Sequence, residues 1–170
     1  MHVALQKSVL QIQFDRPADS QRYINKEDII MKKIAIVYWS GTGNTEAMAN
    51  AVKDGAESKG AEVTMLTAAE FDASLIDSFD AFAFGCPSMG AEQLEESEFE
   101  PMFSSVEDKL SGKNIALFGS YGWGDGQWMR DWEERCVSAG AKLVCDSVIC
   151  NSTPDDEATV NCNALGAALA

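Results

Sequence analysis

The chain has 170 residues and a formal net charge of −14, with 46% hydrophobic and 24% charged residues. This is one domain's worth of a globular chain, with enough apolar residues to bury a core. No apolar run approaches the roughly 20 residues of a membrane span. So acidic a surface repels nucleic acid phosphates and anionic lipid, and leaves basic proteins as its natural partners.

The amino-terminal segment stands apart. Residues 1–30 carry four basic and four acidic side chains, so the whole net charge falls on residues 31–170. Val9, Leu10, Ile12 and Phe14 follow no sustained period. The segment also lacks the basic start, long apolar stretch and small-residue cleavage site of a signal peptide. Met31 directly precedes the first apolar β-type run. Lys26-Glu27-Asp28 can be encoded AAG-GAG-GAT, which contains a bacterial ribosome-binding sequence. The expectation is a leader over 1–30, disordered or upstream of a natural start at Met31, followed by one domain over 31–170. A short genuine extension is the alternative.

From Lys33 the chain alternates between strand and helix about five times. The predicted strands are Lys33–Trp39, Ala61–Leu66, Phe79–Gly85, Lys113–Gly119 and Ala141–Cys150. Ile34-Ala35-Ile36-Val37 and Ile115-Ala116-Leu117-Phe118 are continuously apolar, as strands covered on both faces are. Helices are predicted over 44–59, ending at Gly60, over 98–109, over 126–139 and over 155–169, where Pro154 and Asp155 fit a start. A short segment is expected near 73–77. Trp128 and Trp132, four apart, read as core residues of one helix. This alternation implies right-handed crossovers and a parallel sheet with helices on both sides.

The five cysteines form no C-x-x-C pair and are odd in number, which suggests neither a disulfide framework nor an iron–sulfur site. They read as buried reduced thiols of a cytoplasmic protein. Cys145 and Cys150, an odd distance apart on one predicted strand, are expected on opposite faces. The only histidine, His2, lies in the leader, so the core holds no histidine base.

Ligands of an open parallel sheet bind at the carboxyl ends of its strands, and three unusual loops fall there. Ser40-Gly41-Thr42-Gly43-Asn44-Thr45 follows the first strand and opens a helix. Its hydroxyls, its N–H groups and the helix dipole suit a phosphate. It has no G-K-[ST] ending, so it is not a P-loop. Glu46 stands where a dinucleotide fingerprint has its third glycine. A plain turn capped by Asn44 or Thr45 is the alternative. Pro87-Ser88-Met89-Gly90-Ala91-Glu92 follows Gly85-Cys86 on the third strand. A phosphatase-type cysteine loop would carry arginine where Glu92 stands. Met89 offers a polarizable apolar face, and Glu92 an acceptor for an N–H; a glycine turn with a solvated Glu92 is the alternative. Ser120-Tyr121-Gly122-Trp123-Gly124-Asp125-Gly126 follows the fourth strand. Aromatics between loop glycines are well placed to lie flat on a planar ring, with a plug over the sheet end as the alternative.

At these residues, and in the runs Leu94–Pro101 and Ala116–Gly126, the sequence resembles the short-chain flavodoxins of anaerobic bacteria over essentially all of 31–170. The resemblance implies a flavodoxin-like doubly wound five-stranded parallel sheet of order 2-1-3-4-5, FMN as cofactor and no metal. It implies a low-potential one-electron carrier, not an enzyme, with a stabilised neutral semiquinone, moving as a monomer between redox partner proteins. By position, Ser40, Gly41, Thr42, Gly43, Asn44 and Thr45 would hold the FMN phosphate. Met89 would cover the inner face of the isoalloxazine and Trp123 the outer. The Gly90 carbonyl would turn toward flavin N5, within a loop that includes Ser88 and Ala91, and Glu92 would accept from N3. Backbone at Ser120, Tyr121, Gly122, Trp123, Gly124 and Asp125 would meet the pyrimidine edge. Ala91 stands where some relatives carry Asp or Asn. The competing readings are a flavodoxin-like quinone reductase, for which the chain after the fifth strand is short, and a signalling receiver domain, which lacks its aspartate after strand three.

Overall fold

The computed structural model describes residues 30–170; the leader expected over 1–30 lies outside them apart from Ile30. Strands β1 (Lys33–Tyr38), β2 (Glu62–Thr67), β3 (Ala81–Gly85) and β4 (Asn114–Tyr121) form a parallel sheet in the order β2-β1-β3-β4. The fifth position, beyond β4, is filled by β5 (Lys142–Leu143) and β6 (Val148–Asn151), both parallel to β4. The order is therefore 2-1-3-4-5, as the resemblance implied, with the last strand in two pieces.

Alternation along each strand sorts the core into two halves. Phe82, Phe84, Ile115 and Leu117 face one side, where α2 (Phe99–Val106) and α3 (Gln127–Ser138) pack through Phe99, Phe103, Trp128 and Trp132. The rings there meet edge-on, Phe84 on Phe103 at 5.3 Å and Phe103 on Trp132 at 5.5 Å between centroids. Both tryptophans are core residues, as their spacing indicated. Ala81, Ala83 and Ala116 face the other side, beneath α1 (Asn44–Glu57) and α4 (Asp156–Leu169). Small strand residues let these helices sit close. They also sit close to each other: a Cβ on Gly55 would lie 1.9 Å from the Asn163 carbonyl oxygen, and one on Gly166 would lie 1.9 Å from that of Val52.

One expectation and one alternative reading need correction. The predicted strand 141–150 is interrupted because the stretch from Leu143 to Val148 must span only Ile115 to Phe118 on β4. The surplus residues loop out, and the Ser147 hydroxyl ties the loop to Glu133 on α3. Strand alternation does not carry through this loop. Cys145 and Cys150, expected on opposite faces, both pack against the core beneath α1 and α4. All five thiols are free; Cys86, Cys136 and Cys162 are buried and the other two half-buried. The second correction concerns α1. Its cap is neither Asn44 nor Thr45 but Gly43, at φ +91°, while the Ser40 hydroxyl accepts the N–H groups of Gly43 and Glu46.

Candidate functional site

The carboxyl ends of β1, β3 and β4 open onto one cleft of about 230 Å³, to which Thr42, Asn44, Ser88, Met89, Tyr121 and Gly122 contribute. A larger cleft of about 450 Å³ lies between residues 145–149 and α4 and receives nothing from the three loops. The site-forming chemistry is thus at the strand ends, where an open parallel sheet binds its ligands.

The first loop presents unused donors. Among the described residues, the N–H groups of Gly41, Thr42, Asn44 and Thr45 donate to no protein acceptor. They surround the start of a 14-residue helix, whose dipole adds about half a positive charge there. Among the described residues, no lysine or arginine lines the cleft. The arrangement is suited to an anion held by uncharged donors. Thr45 takes a different position from its neighbours: its hydroxyl is buried and pairs with the Ser120 hydroxyl at 3.3 Å, joining the first loop to the third.

The second loop is a tight hairpin tip. Met89 and Gln93 exchange both backbone hydrogen bonds at 2.8 Å, leaving Gly90, Ala91 and Glu92 to turn the chain. Gly90 (φ +51°) and Glu92 (φ +54°) both adopt the left-handed conformation. The Gly90 carbonyl accepts no hydrogen bond among the described residues, and a Cβ there would meet nothing within 4 Å. Glu92 is not a solvated side chain: its Oε1 accepts from the N–H groups of Asp125, Gly126 and Gln127 at 3.2, 3.2 and 3.1 Å. Cys86 beneath this loop is fully buried. Desolvation pushes its thiol well above the ordinary range, which removes it as a nucleophile.

The third loop places Trp123 in the open, 63% exposed, while Met89 is 40% exposed at the cleft rim. A bare methionine at a cleft with vacant N–H donors, and a bare tryptophan on the loop that adjoins it, are what a planar ring bearing a phosphate would cover. The residues present therefore fit FMN. Asp125 is held by Arg130 at 2.8 Å. Sequence reasoning missed two lining residues, Trp39 and Ser152, and placed Pro87 in the second loop without giving it a binding role. Trp39 adjoins the first loop and could have been found by extending that loop back toward its strand. Ser152, at φ +60°, follows β6, and the unbroken fifth strand expected there drew attention away from it.

The acidic run after the cleft is also not uniform. Glu95 is only 6% exposed, and its carboxylate accepts N–H groups of Ser97, Glu98 and Phe99 at the start of α2. Burial opposes its charge, but the bonds from Phe99, Glu98 and Ser97 outweigh burial and hold the carboxyl below its usual range. Glu96 and Glu98 remain exposed beside it.

Fold and cleft together define a doubly wound α/β protein built to hold a flat, phosphorylated cofactor. The Flavodoxin family model matches residues 36–164. A flavodoxin of Megasphaera elsdenii is 43% identical over 137 residues, covering 81% of this chain and 98% of the relative. One of Clostridium beijerinckii is 46% identical over 135 residues, covering 79% and 97%. The solution structure of two-electron reduced Megasphaera elsdenii flavodoxin superposes with a TM-score of 0.74 at 43% identity, covering 80% of this chain and 97% of that one. The chain belongs to the flavodoxin family. It is an FMN-dependent electron carrier that serves redox partner proteins, and it is not an enzyme. Among the described residues no helix is long and apolar enough to cross a membrane.

Proposed function

We propose that the chain is a low-potential, one-electron carrier that works as a cytoplasmic monomer and docks basic redox partners. The observation that carries this reading is the cleft where vacant N–H donors of the first loop meet Met89, with no lysine or arginine among its described lining residues, and with the free Gly90 carbonyl and the bare Trp123 on the loops that adjoin it. The free amides of Gly41, Thr42, Asn44 and Thr45, with the side chains of Ser40, Thr42 and Asn44, hold the phosphate, while the Thr45 hydroxyl stays paired with Ser120. Met89 and Trp123 sandwich the ring, Glu92 accepts from its N3, and backbone of Ser120–Asp125 meets the pyrimidine edge. Bound FMN supplies a ring that takes up electrons singly. Added negative charge in the cleft meets no lysine or arginine, which disfavours reduction and keeps the potential low.

Gly90 supplies the selectivity for single electrons. Its carbonyl, which accepts no hydrogen bond among the described residues, would be the acceptor for an N5–H of the bound ring, and glycine tolerates the positive φ of this loop. One such bond contributes about 0.5–1.5 kcal/mol, or up to about 60 mV for one electron. In Gly90→Ala the added Cβ has room, so its cost is backbone strain of about 1–2 kcal/mol. The expected result of a redox titration is a first-step potential lowered by tens of millivolts, with FMN still bound. Unchanged potentials accompanied by weaker FMN binding would reduce Gly90 to a turn residue.

The basic nature of the partners follows from charge. The net −14 includes exposed Glu96 and Glu98 beside the cleft, and rim charges act mainly on encounter. Electron transfer to a basic reductase is expected to slow several-fold as the Debye length shrinks from about 30 Å at 0.01 M salt to about 3 Å at 1 M. Rates that stay level in stopped-flow measurements over that range would rule out electrostatic docking.

A further inference from the structure

Glu92 stands where two of the three loops meet. Its backbone, at φ +54°, is part of the hairpin tip closed by Met89 and Gln93. Its side chain crosses to the start of α3, where Gly126 is the cap residue and has no side chain to offer. A helix cannot satisfy its own first N–H groups. Here Oε1 of Glu92 satisfies those of Asp125, Gly126 and Gln127 together. The segment is wrapped so closely around this carboxylate that a Cβ on Gly124 would lie 2.3 Å from Oε1. The other oxygen, Oε2, accepts from no group among the described residues.

We propose that Glu92 is a two-sided positioning residue. Oε1 clasps the Trp123 loop to the Met89 loop and sets the distance between the two walls before the cofactor arrives. Oε2 is the oxygen left for the ring N–H. The inference rests on the placement of FMN between these loops given above and adds a role that exists without FMN. A carboxylate is the group that can do both, because each oxygen can accept on its own side. Glutamine has one accepting oxygen and can serve only one side. Pre-assembly of the walls lowers the ordering cost of binding, so loss of the clasp weakens FMN even where no contact to the ring is removed.

The test compares full-length wild type, Glu92→Gln and Glu92→Ala, with and without FMN. Amide hydrogen exchange at Gly126 and Gln127 reports the clasp, and fluorescence titration reports FMN affinity. In FMN-free Glu92→Ala, exchange at both amides is expected to be roughly five- to tenfold faster, the change that corresponds to a lost helix cap. FMN affinity falls in parallel. Glu92→Gln keeps either the protection or the affinity, not both. Wild-type exchange in FMN-free Glu92→Ala overturns the clasp. So does faster exchange with undiminished FMN affinity, since the clasp would then not prepare the site. Wild-type values on both readouts for Glu92→Gln overturn its two-sidedness. Failure of wild type to bind FMN with protected amides would instead strike the functional reading and leave the helix contact standing.

Discussion

Riboflavin is expected to bind at least about a hundredfold more weakly than FMN. The phosphate is the only part of the cofactor that can use the N–H groups of Gly41, Thr42, Asn44 and Thr45, which have no protein acceptor among the described residues. Hydrogen bonds to a charged group contribute about 1.5–3 kcal/mol each, and about 1.4 kcal/mol is a factor of ten. Two net bonds therefore suffice for the difference. Without the phosphate these donors return to water, and the hydroxyls of Ser40 and Thr42 lose their ligand. A cradle with no lysine or arginine makes the discrimination one of geometry, since a −14 protein repels the phosphate at long range. Parallel titrations of the FMN-free protein with FMN and riboflavin measure the ratio. A ratio below about ten would mean that the ring and ribityl chain dominate, and that fewer than about one charged bond forms.

The second large effect concerns stability. Alanine normally favours a helix over glycine by roughly 0.5–1 kcal/mol, so Gly166→Ala and Gly55→Ala would raise stability at open positions. Here both are expected to lower it by about 3 kcal/mol or more, the upper end of overpacking costs. The new methyl would sit 1.9 Å from a backbone carbonyl oxygen of the facing helix, not from a side chain that could turn away. α1 and α4 would have to separate, opening the contacts of Ala49, Val52 and Leu165 over the sheet. For a domain of this size that loss lowers the melting temperature by roughly 6–12 °C. Thermal melts followed by far-UV circular dichroism give the sign directly; an unchanged or higher melting temperature would show that the helices yield without cost.

The layers of the fold were legible because the central strands carry unbroken apolar runs, Ile34–Val37 and Ile115–Phe118, and helices such as α4 begin on a recognisable signal. Asp155 caps α4 through the Ala158 N–H, as Pro154-Asp155 suggested. The three loops were legible for a related reason: hydroxyls, glycines and exposed aromatics at strand ends have no use in a core. Pairwise contacts between distant segments were not legible. That Thr45 turns inward to Ser120, or that Glu95 is buried on the amides of α2, depends on which backbone groups the fold leaves without partners. Local pattern sees only that such a residue is polar. The broken fifth strand was hidden for a similar reason. Val144, Cys145 and Val148 are good strand formers, and the surplus residues appear only when their register is set against β4.

That interruption has a consequence for the protein in a crowded cell. A parallel sheet ends in two margins of unpaired backbone, each able to recruit a strand from another molecule. On the far margin the exposed ladder consists of two residues, a looped segment and four more, so no continuous template is offered to an incoming chain. A smooth ten-residue strand of the kind the sequence suggested would have been a long, flat, largely apolar edge. The tie between Ser147 and Glu133 keeps the looped segment in place. Straightening it by deleting the surplus residues would lengthen the ladder, and such a variant is expected to self-associate more readily in light scattering.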